Sequence, residues 1–430
     1  LPADRDERSD IEHKIWELRE EYSQHKSDAD VASAVRVMER LTALYGTLEG
    51  YEVAQSVSFE LLARDYLELG DLQEARRSAM QALDIDKRYI GMDLPYYPLH
   101  QVLLAEITDK DGKGGKASQL RHEALKRMLA ILRGERVEGT RKRTYRFYDP
   151  TLDREHMVRM CQTAVELSTR LFGEGSVEHI EIMIQVARFY EEEYNPQLAI
   201  SFYLEAISAT ERAKRVYTPE FIMLLEAAAD IYLINDDDRE AEDLYKREIA
   251  VAKTMYGEGS AEVSMGMGNL ATVYLKKGEN KKAEETVLAS LELDKARADE
   301  GSKDQIRRIR FLATAYHNRK EYVKAIKYYE MARDGLHEYG DDDSGLAVVL
   351  NQLAQVHRLT GRADRAIKEY QECLRVVERF YGPESIYYAG VLQNMAETYK
   401  LLGDETNARQ TLERVNVLCQ KYGYGRNPWV

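Results

Sequence analysis

Apolar residues recur along the chain at helical rather than strand spacing. Val31, Ala34, Val35, Met38, Leu41 and Leu44 fall three and four apart, which predicts an amphipathic helix over 29–45. The stretch Asn269-Leu270-Ala271-Thr272-Val273-Tyr274-Leu275-Lys276-Lys277-Gly278, followed by Ala283 and Leu291, predicts a helix, a glycine turn and a second helix. The same frame recurs. Leu-Ala or an equivalent pair stands at 62/63, 186/187, 228/229, 270/271, 312/313, 353/354 and 395/396. Three residues on comes a ring: Tyr66, Tyr190, Tyr232, Tyr274, Tyr316, His357 and Tyr399. Nine further on comes a small residue: Ala75, Ala199, Ala241, Ala283, Ala325, Ala366 and Ala408. From Ala199 onward the steps are 42, 42, 42, 41 and 42 residues. A constant period of this length indicates a repeat array, in which each unit buries its apolar face only against its neighbours.

Leu-Ala-x-x-Tyr, a glycine turn, an alanine and a second apolar helix resemble the tetratricopeptide repeat, whose unit usually takes about 34 residues. Here the extra length falls in the joints: Tyr256-Gly257-Glu258-Gly259-Ser260, Tyr339-Gly340-Asp341 and Tyr381-Gly382-Pro383-Glu384. Followed by Val263 and Gly268-Asn269-Leu270-Ala271, or by Val391-Leu392-Gln393-Asn394-Met395-Ala396, these joints resemble the repeats of kinesin light chains. The resemblance covers most of the chain. It implies an all-α, right-handed superhelical solenoid of antiparallel helix pairs, A and B, with the concave groove lined by the A helices. The frame counts about ten pairs. The alanine column is expected where helix B crosses helix A closely, and the tyrosine ring is expected to fill space toward the next helix B.

The frame divides the chain as follows. Residues 1–49 form a divergent first pair or cap, with helices over 11–26 and 29–45 and a closing Tyr45-Gly46 of the same kind as the later joints. Residues 50–132 hold two units; in the second, the ring column falls on Thr108 and the alanine column on Ala117. Residues 133–175 form a degenerate unit with a basic aromatic loop, a shortened helix A around Tyr148 and a helix B over 157–172. Six regular units occupy 176–422, and 423–430, with Pro428-Trp429, is an irregular tail.

Composition narrows the function. The net charge of −14 argues against general nucleic-acid binding, which needs a basic face. No run approaches 18 apolar residues, so no membrane span is expected. Cys161, Cys373 and Cys419 each lie in a helical pattern and read as reduced core thiols. This suggests a cytoplasmic protein, or one inside an organelle, since a chain beginning at Leu1 is either a fragment or the product of removing a targeting peptide.

Motifs for catalysis are weak. Gly266-Met267-Gly268-Asn269-Leu270-Ala271 matches a dinucleotide pattern but follows no strand. Asp109-Lys110-Asp111-Gly112 resembles half a calcium loop and lacks the closing glutamate. Asp236-Asp237-Asp238 and Asp341-Asp342-Asp343 read as turns capping the next helix. No histidine pairing suits zinc. No cofactor, metal or enzymatic activity is expected.

The resemblance implies groove-facing positions two residues before and after the leucine column and five and six after it. Late in the chain these are Lys276, Arg310, His317, Asn318, Asn351, Arg358, Gln393 and Lys400. Early they include Glu60, Glu68, Glu191, Glu192, Glu226 and Asp230. Asn269, Asn351 and Asn394 do not share one register. Such a surface would hold an extended acidic or carboxylate-bearing segment of a protein partner at its late end. The loop 133–148, with Arg141, Lys142, Arg143, Tyr145, Arg146 and Tyr148, mixes cations and rings. It could contact RNA, dock on the acidic groove of its own array or on an acidic partner protein, or be a solvated loop. The reading is a non-catalytic scaffold or adaptor, a subunit of a larger complex; the rivals are an organelle RNA-associated repeat protein and a regulatory fragment of a larger enzyme.

Overall fold

The structure, a computed structural model, describes residues 5–135, 150–296, 303–339 and 343–422, and no strand occurs among them. The frame runs through residue 214 unbroken, yet the helices cluster into two compact bodies, 1–214 and 215–430. The first holds α1 (Arg5–Ser27), α2 (Val31–Tyr45), α3 (Glu52–Glu68), α4 (Leu72–Ile85), α5 (Tyr96–Lys110), α6 (Gly114–Leu132), α7 (Pro150–Phe172), α8 (Val177–Glu192) and α9 (Pro196–Arg212). The second holds α10 (Pro219–Ile234), α11 (Asp238–Tyr256), α12 (Ala261–Lys276), α13 (Asn280–Ala296), α14 (Lys303–Asn318), α15 (Tyr322–Tyr339), α16 (Asp343–Leu359), α17 (Ala363–Tyr381), α18 (Ile386–Leu401) and α19 (Glu405–Tyr422). Within each body every helix packs on the next in the chain, so the fold is an all-α stack of helix pairs.

The turn from helix A to helix B is one device used nine times among the described residues. Its central residue has positive φ: Ala29, Gly70, Gly112, Tyr194, Asp236, Gly278, Lys320, Gly361 and Gly403. The next N–H then donates to a carbonyl five residues back, at 2.7 to 3.1 Å. That carbonyl belongs to His25, Tyr66, Thr108, Tyr190, Tyr232, Tyr274, Tyr316, His357 or Tyr399. The ring column therefore marks the carbonyl that closes the C-terminal cap of helix A. Thr108 falls where the frame puts it, and His25 brings α1 and α2 into the same frame. Helix α1 begins at Arg5, six residues before the expected start.

Three of the B-to-A joints share a second device. Gly173, Gly257 and Gly382 take positive φ, and Ser176, Ser260 and Ser385 follow in extended backbone. Each serine hydroxyl accepts the N–H of the third residue on, capping the next helix A. Tyr45-Gly46 is not such a joint: Gly46 is helical, with φ −67°, and forms only the C-cap of α2.

The column alanines are buried to the last: Ala75, Ala117, Ala199, Ala241, Ala283, Ala325 and Ala366 at 0% exposed and Ala408 at 1%. The tyrosines differ from expectation. Tyr190 stacks on Phe202 and Tyr316 on Tyr328, each in its own helix B. The hydroxyls of Tyr66 and Tyr316 reach back to Glu39 and Glu284 on the preceding helix B, not forward to the next. Two further departures lie in the first body. Helix α4 runs on into a π turn, Asp86–Ile90, whose first residue, Asp86, is buried in the core. Helix α7 starts at Pro150, seven residues earlier than expected. Its expected partner, the short helix A around Tyr148, lies outside the described residues, which therefore hold nine pairs and α7.

Candidate partner-binding surface

Successive A helices of the second body touch through polar side chains. Asn269 Nδ2 of α12 donates to Glu226 Oε1 of α10 at 3.0 Å, and Asn394 Nδ2 of α18 donates to Asn351 Oδ1 of α16 at 3.1 Å. Both pairs are 43 residues apart, one more than the repeat. The asparagines that share no register are thus the two halves of one contact, a residue at one position meeting its neighbour's next position. A strip of polar, half-buried side chains results.

The late groove candidates are spread along this strip and are less free than their charges suggest. Lys276 lies 2.7 Å from Asp236 and 3.2 Å from Asp238, and also donates to the Leu233 carbonyl. These contacts, not capping, employ those aspartates; Asp237 holds the N-cap position of α11 with no side-chain cap bond. Arg358 bonds Glu397 at 3.2 Å. Asn318 donates to Asn280 at 3.3 Å. The Arg310 guanidinium lies 5.4 Å from the ring of Phe311. His317 sits between Tyr322 and Tyr329, and burial lowers its pKa, with a hydrogen bond to Gln352 opposing, so it is neutral near pH 7. Gln393 is half-buried and Lys400 exposed. Arg141, Lys142, Arg143, Tyr145, Arg146 and Tyr148 lie outside the described residues, as do Asp341 and Asp342.

Early in the chain one candidate moves inside. Glu60 is 1% exposed and belongs to a buried network. Ser56 donates to Asp86 at 2.5 Å, His100 Nδ1 lies 2.7 Å from Asp86, and His100 Nε2 lies 3.3 Å from Glu60. Arg159 of α7 and Arg64 complete it, at 2.8 and 3.0 Å from Glu60. Burial alone would lower the His100 pKa; the Asp86 and Glu60 carboxylates outweigh it and push it up to about 9. Burial would raise Glu60; His100 and the arginines hold it well below the carboxylate range instead. A matching network stands in the second body. Ser264 donates to Asp294 at 2.6 Å, and Arg308, 2% exposed, bonds the other Asp294 oxygen.

The glycines of the dinucleotide-like pattern find their reason here. They lie inside α12, and a Cβ on Gly268 would come within 3.0 Å of Arg308 Cγ and Cδ. A Cβ on Gly266 would come within 2.9 Å of Ile249 Cγ1 and 3.0 Å of Glu248 Oε1. They make room for buried side chains rather than for phosphate. The calcium-like aspartates are likewise engaged, Asp109 by Arg121 at 2.8 Å and Asp111 by Arg76 and Lys113. A cleft of about 500 Å³ between α5, α6 and α7 is lined by Glu106, Asp109, Glu166, Lys110, Arg121 and Arg170, three charges of each sign. Among the described residues no three His, Cys, Asp or Glu side chains are placed to hold a metal ion, and no helix is long and apolar enough to cross a membrane. Cys161 and Cys373 are free thiols in the core, and Cys419 is a half-buried one.

Sequence reading did not find Glu248, Asp86 or Asp294. Their signal is a charged residue in a column that other units fill with apolar side chains, for example Leu336 and Val377 where Asp294 stands.

Stacked helix pairs with a polar strip along their A helices define an all-α helical-repeat scaffold. The chain carries tetratricopeptide repeats: that family matches residues 58–89, 266–297, 305–376 and 345–415. No curated protein sequence matches the chain. Among solved structures, kinesin light chain-type repeats of Podosopora anserina are similar at 16% identity, covering 48% of this chain and 99% of that one, with a TM-score of 0.43. BtubC (BKLC) of P. vanneervenii is similar at 20% identity over 58% and 94%, with a TM-score of 0.45. The apo quorum sensor NprR of B. thuringiensis is similar at 16% over 95% and 99%, with a TM-score of 0.48.

Proposed function

We propose that the chain is a protein-interaction scaffold, a subunit of a larger complex, and that the A-helix strip across α14, α16 and α18 holds an extended, carboxylate-bearing partner segment. The observation that supports this most is the Asn394–Asn351 contact, which joins neighbouring A helices through amides and leaves their faces polar. Asn318, Asn351 and Gln393 offer amide donors to such a segment, and Arg310 and Lys400 offer charge. Lys276 and Arg358 add charge that Asp236, Asp238 and Glu397 already pair. Several modest contacts of this kind set specificity and on-rate more than raw affinity.

The test uses the full chain and a labelled hexaglutamate peptide followed by fluorescence anisotropy. Binding should weaken with salt. Reversing Arg310 and Lys400 together to glutamate should lower affinity by about tenfold or more, with the helical circular dichroism unchanged. Unchanged binding in the double reversal would overturn the reading.

A further inference from the structure

Glu226 and Asp230 lie four residues apart on α10, so both carboxylates stand on one face of that helix. Each holds one neutral donor: Asn269 bonds Glu226 at 3.0 Å, and the Tyr245 hydroxyl bonds Asp230. Behind them Glu248 of α11 is only 3% exposed, and its Oε2 has no hydrogen-bond partner. Gly266 of α12 gives that carboxyl its space. Among the described residues no donor reaches that oxygen and no cation pairs with the carboxyl, while two other carboxylates stand near it, a costly arrangement for a scaffold to keep.

We infer that the Glu226–Asp230–Glu248 cluster is a receptor for one lysine or arginine side chain of an extended partner segment laid along the A helices of the second body. Charge complementarity selects a cation. A metal ion is not the occupant the side chains suit, since no three acidic or imidazole groups among the described residues are placed to ligate one. Continuity selects a protein segment. The Asn269–Glu226 contact that borders the cluster is the same A-to-A contact that joins α16 to α18. That the occupant is a protein segment rests on the A-helix strip proposed above; the preference for a cation does not depend on how α14 to α18 bind carboxylates, and if both hold, the partner segment is basic at its α10 end and acidic beyond.

The protonation of Glu248 agrees with a site waiting for positive charge. Burial first, then the Glu226 and Asp230 carboxylates, push it up to about 8. The titratable groups that bear on it are Glu226 and Asp230 from α10 and Tyr245 from its own helix, while α12 presents Gly266. A bound ammonium or guanidinium would reverse the repulsion and draw the proton off.

The experiment measures labelled hexalysine binding to the full chain at about pH 8 and physiological salt. Glu248→Gln and Glu226→Gln should each lower affinity by about tenfold, while Glu413→Gln, an exposed carboxyl on α19, should change it less than about twofold. Both test variants keep side-chain size, and the amide oxygen introduced by Glu226→Gln can still accept from Asn269, so unfolding is not expected; thermal melts confirm it. Equal losses at all three positions, or no loss at 248 and 226, would mean that lysines are held only by the overall negative charge, and would overturn the proposal. Spermidine binding with the same dependence on Glu248 and no hexalysine binding would overturn it too, in favour of a small polyamine.

Discussion

Asp86 in the first body and Asp294 in the second are held by the same device at the same spacing. A serine 30 residues earlier caps each carboxylate, and a cation 14 residues later, on the next helix A, neutralises it. The cation differs, His100 in one and Arg308 in the other. The residue that decides which stands in one column of the frame. At Glu60 a carboxylate fills the space and takes the second nitrogen of His100; at Gly268 the space is empty, and the Arg308 stem occupies it. The comparison teaches that the repeat fixes where a buried charge can sit, while a neighbour's size and charge fix what neutralises it. The two outcomes are not equally well satisfied. Both nitrogens of His100 have carboxylate partners, whereas Nε and Nη1 of Arg308 have none among the described residues.

The largest expected effect follows from breaking the second network. Arg308→Met leaves the Asp294 carboxylate buried without its cation, and should destabilise the second body by about 3–5 kcal/mol. Denaturant melts measure the loss. Hydrogen exchange should place it in α12 to α14, because each pair is coupled to its neighbours. Replacing Asp294 by Leu in the same chain should recover most of it, since an apolar pair of similar volume replaces a buried ion pair at little cost. No recovery would mean that Arg308 acts through packing and not through Asp294.

A smaller effect separates the two networks by pH. The folded His100 pKa of about 9 lies above the ordinary 6.5, so its stabilisation is full below pH 6.5 and is lost as pH rises to about 9. The loss should be about 3 kcal/mol across that window, read as faster exchange in α3 to α5. In the second body the titrating group is Glu248: a folded carboxyl raised from 4.5 to about 8 makes that body lose stability as pH rises between those values. The comparison is therefore cleanest in Glu248→Gln, where α12 to α14 should hold steady from pH 6.5 to 9 while α3 to α5 weaken. Equal pH dependence of both regions in that variant would refute the assignment.

Much of the fold was legible because close helix crossings and C-terminal caps repeat at fixed positions. Ala283, Tyr274 and Gly278 announce a unit on sight. His25 did not, because its role is played by a backbone carbonyl, which any residue supplies. Tyr194, Asp236 and Lys320 adopt positive φ without being glycine, so those turns were located by spacing and not by residue type. The π turn at Asp86 left no mark on the apolar pattern. The division at 214/215 was not legible either, since residues 213–218 are simply a linker without the Gly-x-x-Ser joint. Among the candidate surface residues, charge could be read but not pairing: Lys276 and Arg358 look free in sequence and are bound to carboxylates a repeat away.

The smallest effect tests the deciding column itself. Gly268→Ala adds a Cβ 3.0 Å from Arg308 Cγ and Cδ, a contact closer than ordinary packing. The guanidinium end is tied to Asp294, so the stem cannot swing away freely, and overpacking should cost about 1–3 kcal/mol. Against that, alanine is favoured over glycine inside a helix by about 1 kcal/mol. The single variant should therefore be close to neutral or mildly destabilising in denaturant melts. In the Arg308→Met chain the constraint is gone, because an unbranched thioether can shift to fit. There the same Gly268→Ala change should stabilise by about 1 kcal/mol. A double-mutant cycle on these two positions should thus give a coupling of about 1–3 kcal/mol, the overpacking cost itself. Coupling near zero would mean that Gly268 is not the residue that admits arginine, and that the choice between His100 and Arg308 lies elsewhere in the frame.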